Sequence, residues 1–433
     1  MSDAKRTLRA AWSELVAQLE AARDAIDDPA LHAPPADDRT LAEGYRYLLG
    51  FVHGAIGRAL DDPYFPHFRR AIEPTDKSTI DNADAVYLYA PIDGAESYVV
   101  RGRPAAGRKP PHYVIFETPS GYVGDSGSIA ELAPGTRANG GVLDSAKLAL
   151  EPDGGFEILL APERPAGHAG NFIATRTLRR GTAYTSRWVV LRELFHDWEH
   201  EEPLDLSIVR VGSEGAHPPP LDPARAAELL RRVGTIANHQ MRYWNEFYAV
   251  PLEAHRDMNG DGVQFMPRND LNAPRGAGHW GGQATNVYAG GSYDLGPDEA
   301  LVVEARAPVE PAYGGFHLAN FWGESHDFAN HQSSLNAFQA EVDPDGARRY
   351  VVAHRDPGVP NWLDTTGLPA GFMSVRWAYS EAPDALPETR VVKLPFDAIR
   401  AQLPAGTRRV SEAERREAIR IRQAHVQRRY RHH

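Results

Sequence analysis

The chain has 433 residues, with 47 lysines and arginines against 58 aspartates and glutamates, a formal net charge of −11, and no cysteine. At roughly 100 to 200 residues per domain, this length suggests two or three domains. A chain without cysteine forms no disulfides, thiolate zinc sites or iron–sulfur clusters. The negative charge argues against a general nucleic-acid binder, because such proteins neutralise phosphates with a basic surface.

The N-terminal segment, 1–75, is predicted to be helical. Its first apolar residues recur at helical spacing: Leu8, Trp12, Leu15, Val16 and Leu19. A second apolar helix is predicted over 41–60, after a loop rich in proline and aspartate. The first residues have no apolar core of a secretory signal, and the chain has no run of about 18 uncharged apolar residues. We therefore expect a cytoplasmic protein with no membrane contact.

From residue 76 the pattern changes to short runs rich in Val, Ile, Tyr and Phe, separated by turns such as IDGAE and PDGG. These runs predict an antiparallel β-sandwich over 76–213, with a helical insert at 186–202. A linking helix is predicted within 214–258, and a second β-sandwich over 259–398. The predicted fold class is mainly β with helical additions (α+β): two antiparallel sandwich or jelly-roll-like domains joined by a long helix.

The last predicted unit is a basic C-terminal helical tail over 399–433. Ser411 and Glu414 have the spacing of a capping box at the start of its helix. Ile419, Val426 and Tyr430 predict a narrow apolar stripe. We expect the tail to dock on the body or on a sister subunit rather than on nucleic acid, so a homo-oligomer through this tail is one expectation.

Three stretches together resemble the bacterial family of unknown function numbered DUF1214. The first sandwich carries STIDNADAVYLYAPIDGAESYVVRGR and RELFHDWEHEEPLDLSIVRVG, and the second carries FWGESHDFANHQSSLNAFQAEVDPDGARRYVVAHRDPGVPNWLDTTGLPAGFMSVRWAY. The resemblance extends over most of 44–395. It implies a fold, because the related tandem of DUF1254 and DUF1214 is known for β-sandwiches with helical additions. Asn171 and Arg192 match polar positions of the family pattern.

One stretch has the residue order of a zinc site. His196, Glu199 and His200 spell the H-x-x-E-H order of the inverted zinc peptidases. On a helix, the two histidines would share one face, as two zinc ligands must. Pro203 follows almost at once and no third ligand is evident, so a titratable surface turn is the alternative.

A second stretch matches half of a calcium loop. Asp257, Asn259 and Asp261 have the spacing of its first ligands, but the twelfth position is Arg268 instead of a carboxylate. An Asx/Gly turn is the alternative. The candidate site is therefore predicted without a metal, and whether either stretch binds one stays open.

The candidate catalytic residues lie in the second sandwich. Carboxylates, imidazoles and amides crowd 317–336, and a stiff loop with two prolines and a glycine lies within 354–364. A carboxylate beside a histidine is the minimum for proton transfer near neutral pH. A loop that satisfies its own backbone is the alternative. The catalytic candidates are His317, Glu324, His326 and His354.

Aromatic side chains that can form walls, and polar ones that can direct hydrogen bonds, are the candidate substrate-binding residues. They are Tyr87, Arg192, Trp322, Asn336, Asn361, Trp362 and Arg376. No G-x-G-x-x-G after a strand, P-loop or G-x-S-x-G elbow occurs in the sequence. We therefore predict no organic cofactor and no nucleotide-dependent oxidoreductase.

These observations predict a cofactor-independent acid–base enzyme of the lyase type. It would cleave a small oxygenated metabolite by elimination or retro-aldol reaction, with aromatic compounds as one substrate class. Such a step needs only a positioned base, an acid and a group that stabilises developing charge. The alternatives are a non-catalytic protein that binds a small ligand or carbohydrate, and a structural partner in a complex that attaches by the basic tail.

Overall fold

The computed structural model of the protein describes residues 2–26, 28, 37–133, 135–252, 266–276 and 285–430. Its helices are α1 (Asp3–Asp24), α2 (Asp38–Leu60), α3 (Pro223–Leu252), α4 (Ile399–Gln402) and α5 (Glu412–Arg429), with short 3-10 helices at Ile129–Leu132 and Phe396–Ala398. None of the helices in this described part of the chain is long and apolar enough to cross a membrane.

Eleven strands form the first sandwich and a separate hairpin. They are β1 (Arg69–Ile72), β2 (Ala85–Pro91), β3 (Tyr98–Arg103), β4 (Tyr113–Pro119), β5 (Asn139–Asp144), β6 (Phe156–Ala161), β7 (Asn171–Ala174), β8 (Arg176–Arg179), β9 (Thr182–Thr185), β10 (Trp188–Leu194) and β11 (Asp205–Arg210). A five-stranded sheet, β1-β2-β10-β4-β5, faces a four-stranded sheet, β11-β3-β6-β7, while β8 and β9 pair with each other. All neighbours are antiparallel except the parallel pair β6–β7.

The second sandwich repeats the arrangement of five strands over four. Its strands are β12 (Arg275–Gly276), β13 (Asn286–Asp294), β14 (Glu299–Arg306), β15 (Tyr313–Ala319), β16 (Ser334–Asn336), β17 (Arg348–Ala353), β18 (Trp362–Asp364), β19 (Ala370–Ala378) and β20 (Glu388–Pro395). The sheets run β12-β13-β19-β15-β16 and β18-β17-β14-β20. Only β17–β18 is parallel among these neighbours. The predicted fold class, mainly β with antiparallel sheets and helical additions, is confirmed.

Side-chain alternation along the strands builds each core. In β2, Val86, Leu88 and Ala90 point between the two sheets and pack against residues of β3 and β6. The intervening Tyr87 and Tyr89 point to the outer face. The outer faces of the two five-stranded sheets meet each other through an apolar contact. Its buried residues are Ala85, Tyr113, Ile115, Leu194, Tyr313 and Ala378.

The predicted helical insert at 186–202 is wrong. Residues 188–194 form strand β10, which pairs antiparallel with β2 on one side and β4 on the other. Two complete ladders of hydrogen bonds outweigh a helical pattern in the sequence, since tertiary context overrides local propensity. Beyond the strand the chain turns, and the His200 N–H donates to the carbonyl of Asp197 at 3.2 Å.

The zinc hypothesis loses its geometric basis with that helix. His196 instead stacks on His112, with ring centroids 3.7 Å apart. Burial lowers the pKa of His196 to about 3. The described residues contain no group of three or more His, Cys, Asp or Glu side chains placed to hold a metal ion. The calcium-like stretch from Asp257 to Asp261 lies outside the described residues.

The C-terminal helix α5 packs on the body of its own chain. Ser411 caps it in the predicted capping box with Glu414. The fully buried residues of α5 are Arg422, His425 and Arg429, while Val426 of the predicted apolar stripe is half-buried and packs against the core of the first sandwich. Guanidinium groups tolerate this environment because they stack on aromatic rings and donate to backbone carbonyls.

Arg429 illustrates how α5 is held. Its guanidinium lies 4.5 Å from the Trp198 ring centroid, and its Nη1 donates to the carbonyl of Ala83 at 2.6 Å. Next to Ala83, the fully buried carboxylate of Asp84 accepts from Trp198 Nε1 at 2.9 Å and from the Tyr313 hydroxyl at 2.6 Å. A single cluster thus joins both sandwiches and the C-terminal helix.

Candidate functional site

A cavity of about 560 Å³ lies on the outer face of the first five-stranded sheet, where the second sandwich approaches it. Strands β2, β4 and β10 form its floor, and the loop over 119–139 forms one wall. Residues of α2, β1 and β13, together with Thr79, complete the lining. The side chains that carry its chemistry are Arg58, Tyr87, Tyr89, Glu117, Tyr122, Trp188, Arg192 and Tyr288.

Strand register brings the floor residues together. Val190 stands opposite both Tyr89 and Glu117 on the neighbouring strands, and Arg192 stands opposite Tyr87. Side chains of opposed residues lie on the same face of a sheet, about 5 Å apart. Three strands therefore present an acid, a base and two phenols on one surface whose reverse side is the hydrophobic core.

The central ion pair of the floor joins Arg192 to Glu117. Arg192 Nη2 donates to Glu117 Oε2 in a short contact, and Asn139 Nδ2 donates to the other carboxylate oxygen at 3.0 Å. The negative charge of Glu117 raises the pKa of the Arg192 guanidinium, so this group stays protonated. The pair is held in place before any ligand arrives.

The wall loop over 119–139 is tied to helix α3. Gln240 Nε2 donates to the carbonyl of Val123 at 2.9 Å, and Glu246 accepts from the Ile129 N–H at 2.8 Å. These two bonds fix the loop at points on either side of its turn. The wall is therefore held by a long helix rather than by the loop alone.

Within that loop, the carboxylate of Glu131 is occupied by its own backbone. It accepts from the N–H of Gly124 at 2.6 Å and of Ser126 at 3.0 Å. Gly124 has φ +85°, and a Cβ there would lie 2.5 Å from Gln240 Nε2, so only glycine fits this turn. Arg137 approaches Glu131 at 3.6 Å. Glu131 therefore stabilises the conformation of the loop that forms the wall.

Aromatic rings surround one cation of the cavity. The Arg58 guanidinium lies 4.8 Å from the centroid of Tyr122 and 5.6 Å from that of Tyr89. Trp188 packs edge-on against Tyr89, with centroids 5.3 Å apart. Among the described residues, no carboxylate lies within ion-pair distance of Arg58. Its charge is offset by the faces of the two tyrosines at contact distance and by the carboxylates of Asp76 and Asp61 at longer range.

A smaller cavity of about 40 Å³ continues from the first and shares Tyr87, Arg192 and Tyr288 with it. Arg376 lines this extension. Its Nη2 donates to the carbonyl of Ile80 at 2.6 Å, and its guanidinium lies 5.4 Å from the Tyr288 centroid. Three of the predicted substrate-binding residues, Tyr87, Arg192 and Arg376, are therefore brought together here.

Two predicted catalytic residues are buried against other parts of the chain. Glu324 accepts from Arg46 Nη2 at 2.5 Å and from Asn320 Nδ2 at 2.9 Å, and burial raises its pKa to about 7. His317 is buried on the outer face of β15, where burial and the charge of Arg376 lower its pKa. Neither side chain lines the cavities described above.

The other two predicted catalytic residues are likewise engaged within the protein. His326 Nε2 lies 2.8 Å from the Tyr293 hydroxyl, and burial lowers its pKa to about 3. His354 Nδ1 lies 2.6 Å from the Thr365 hydroxyl. The four predicted catalytic groups therefore do not meet in one accessible site.

The remaining predicted binding residues also make internal hydrogen bonds. Trp322 Nε1 donates to the carbonyl of Thr40 at 2.8 Å, and Trp362 Nε1 donates to that of Ala353 at 3.0 Å. Asn336 Nδ2 donates to Asp84 at 2.8 Å. Asn361 Nδ2 donates to the carbonyl of Glu341 at 2.8 Å and lines a separate surface cavity of about 240 Å³.

Sequence reasoning missed Glu117, Arg58 and most of the aromatic wall. A signal for Glu117 was present, since this acid follows four apolar residues within the strand YVIFETP. In such a strand, an acidic side chain that faces away from the apolar core points either to solvent or to a cation or hydrogen-bond donor. Only the covering loop and helix α2 make that position part of a cavity.

No protein-family model matches the chain, and no curated protein matches it. Among solved structures, the chain is similar to an uncharacterized protein from Burkholderia cenocepacia, at 27% identity and a TM-score of 0.74 over 91% of this chain and 99% of that one. The VPA0106 protein from Vibrio parahaemolyticus is more distant, at 11% identity and a TM-score of 0.41 over 87% of this chain and all of that one. The first similarity establishes a shared fold, and neither name states an activity.

Proposed function

We propose that the protein binds a small oxygenated molecule with one negative charge in the 560 Å³ cavity. The observation that carries this proposal is the charge of the lining. Three arginines and two glutamates line the cavity, and the glutamates pair with Arg192 and Arg137. Among the described residues, no carboxylate lies within ion-pair distance of Arg58, and Asp76 and Asp61 interact with it only at longer range. A carboxylate on the ligand would pair with it beside aromatic side chains, in a charge-assisted hydrogen bond stronger than a neutral one.

The aromatic lining favours a ligand with a flat part. Tyr89, Tyr122, Trp188 and Tyr288 supply ring surfaces, and the volume lies within the roughly 300–1,000 Å³ of typical small-molecule sites. Rings of this kind stack on aromatic or sugar rings at little entropic cost. Small aromatic carboxylates therefore suit the cavity better than neutral aliphatic compounds.

A binding experiment tests this proposal. Ligand-observed NMR would compare a panel of small aromatic monocarboxylates, such as benzoate, with their neutral amides and alcohols. We expect the carboxylates to bind preferentially, and Arg58→Gln to weaken them at least tenfold, about 1.4 kcal/mol. The matched control is Arg101→Gln, which removes an exposed arginine paired with Glu157 on the same sandwich. Equal binding of acids and amides would contradict the proposal.

Acid–base catalysis of the lyase type is the second candidate function, and Glu117 is the observation that favours it. This carboxylate lies in the cavity beside a permanent cation. In an elimination or retro-aldol step, Glu117 would accept a proton from the bound molecule while Arg192 would stabilise the negative charge that develops. The step needs no organic cofactor. In this proposal, Glu117 replaces His317, Glu324, His326 and His354 as the group that transfers a proton.

Turnover separates the two candidates. Compounds that bind would be incubated with the wild-type protein and with Glu117→Gln, and the mixtures analysed by mass spectrometry. An enzyme loses turnover in the variant and retains binding within a few-fold. If no bound compound is converted by the wild type, the protein is a binding protein. We also retain membership of the DUF1214 family and a cytoplasmic location as proposals.

A further inference from the structure

Helix α2 exposes a continuous stripe of large apolar side chains. Tyr47, Phe51 and Ala55 on its inner side are buried against the body. Helices that are apolar nearly all round are normally buried on every side. Five residues of the outer side are nevertheless between 42% and 69% exposed, and the half-buried Val52 lies among them. We call this set the α2 stripe: Leu41, Tyr45, Leu49, Val52, Ile56 and Leu60.

Helix α1 continues this surface. Trp12 is 58% exposed and Val16 is 38% exposed, and both lie on the same side of α1 as Leu19. Leu19 of α1 and Val52 of α2 pack against one buried cluster, which includes Ala55 and Ile236. The two helices therefore share an apolar floor, and their exposed apolar residues border it. The α2 stripe, Trp12 and Val16 together form the α1–α2 surface.

We propose that the α1–α2 surface is the contact through which two copies of this chain form a dimer. Successive residues of the α2 stripe are four, four, three, four and four positions apart in the sequence. Mixed steps of three and four keep one helix face toward a partner helix. A two-fold axis brings the same patch of both copies together, so one self-complementary stripe suffices. The helices α1 and α2 of one copy then pack against those of the other.

The exposed area agrees with a dimer contact. At about 200 Å² for a fully exposed large side chain, the α1–α2 surface leaves roughly 700 Å² of side chain in water on each copy. A standard stable interface buries about 800 Å² per partner. The stripe also extends over about 28 Å of helix, which is long enough for a helix to pack along its full length.

The charges beside the stripe favour a protein partner over a lipid surface. Helices that lie on membranes carry a polar face rich in lysine and arginine. Beside the α2 stripe, the acids Asp38 and Glu43 alternate with the bases Arg39 and Arg46. Because both positive and negative side chains lie beside the stripe, two copies can approach each other without net charge repulsion. This surface is separate from the ligand cavity, so the dimer does not depend on the proposed ligand.

The solution mass of the full chain tests the proposal. Sedimentation equilibrium should give twice the 47.7 kDa of one chain at high micromolar concentration. Leu49→Glu buries an unpaired carboxylate in the contact and should raise the dimer dissociation constant about 100-fold. Leu178→Glu is the matched control, because Leu178 is 70% exposed and Leu49 is 69% exposed, but Leu178 lies on the β8–β9 hairpin. A monomeric wild type, or an equal effect of both variants, would overturn the proposal.

Cross-linking gives an independent readout, because the chain has no cysteine. Leu49→Cys places one thiol near the middle of the α2 stripe, where the proposed contact brings the two copies together. A short bis-maleimide should link this variant into a dimer and leave Leu178→Cys monomeric. A monomeric wild type that floats with anionic phospholipid vesicles would make the surface a membrane contact and refute the dimer.

Discussion

Glu193 offers a sharp test of how burial controls stability in this protein. It is fully buried on the inner face of β10, and its carboxylate accepts one hydrogen bond, from the Leu204 N–H at 2.9 Å. Its Oε2 is buried without a hydrogen-bond partner among the described residues. Burial raises the pKa of Glu193 from its ordinary 4.5 to about 8, against smaller opposing effects of the Leu204 hydrogen bond and of the Arg429 charge. Between pH 4.5 and 8, the Glu193 carboxyl is therefore protonated in the folded protein and ionised in the unfolded chain.

The sign and size of the effect follow from that shift. A carboxyl whose pKa is higher in the folded state contributes its full stability below pH 4.5, and this contribution is lost as the pH rises toward 8. Each pKa unit corresponds to about 1.4 kcal/mol, so the loss approaches about 5 kcal/mol. Glu193→Gln keeps the oxygen that accepts from Leu204 and does not titrate. It should match the wild type at acid pH and exceed it by several kcal/mol above pH 8.

Urea unfolding at a series of pH values measures this difference directly. The control is Glu157→Gln, because the Glu157 side chain is half exposed and pairs with Arg101 on the surface. Glu157→Gln should change the free energy of unfolding by less than about 1 kcal/mol, because exposed ion pairs contribute little. If the difference for Glu193→Gln stays constant between pH 5 and 8, Glu193 is ionised in the folded protein. Burial would then not raise the pKa of Glu193 in the folded protein.

Two further predictions concern packing. Gly323 has φ +69°, and a Cβ there would lie 1.8 Å from the Tyr248 hydroxyl, so Gly323→Ala should lower the free energy of unfolding by about 2 kcal/mol or more; an unchanged urea midpoint would contradict this. Truncation after Val410 removes α5 and uncovers the Trp198 ring, so we expect a loss of about 3 kcal/mol or more and a lower melting temperature. A truncated protein with the wild-type melting temperature would show that α5 adds no stability.

The sequence by itself determined the local features of the fold. Apolar and polar residues alternate along the strands, and turn residues separate them, so both β blocks were predictable. Helix α3 was predictable from its length and periodicity, within the predicted 214–258. The capping box of Ser411 and Glu414 was readable because it depends on residues three positions apart. Each of these features has its physical cause within one short stretch of chain.

Only the tertiary structure decided the features whose causes lie far apart in the chain. The sequence of β10 has a helical pattern, but this segment forms a strand because β2 and β4 hydrogen-bond to its two edges. The sequence predicts an acid–base role for His326, but the fold buries this side chain and burial lowers its pKa to about 3. Glu117 gains a cationic partner because Arg192, 75 positions along the chain, lies beside it in the sheet. Spacing along a sequence sets distances within one element, whereas burial and distance between elements depend on how the whole chain packs.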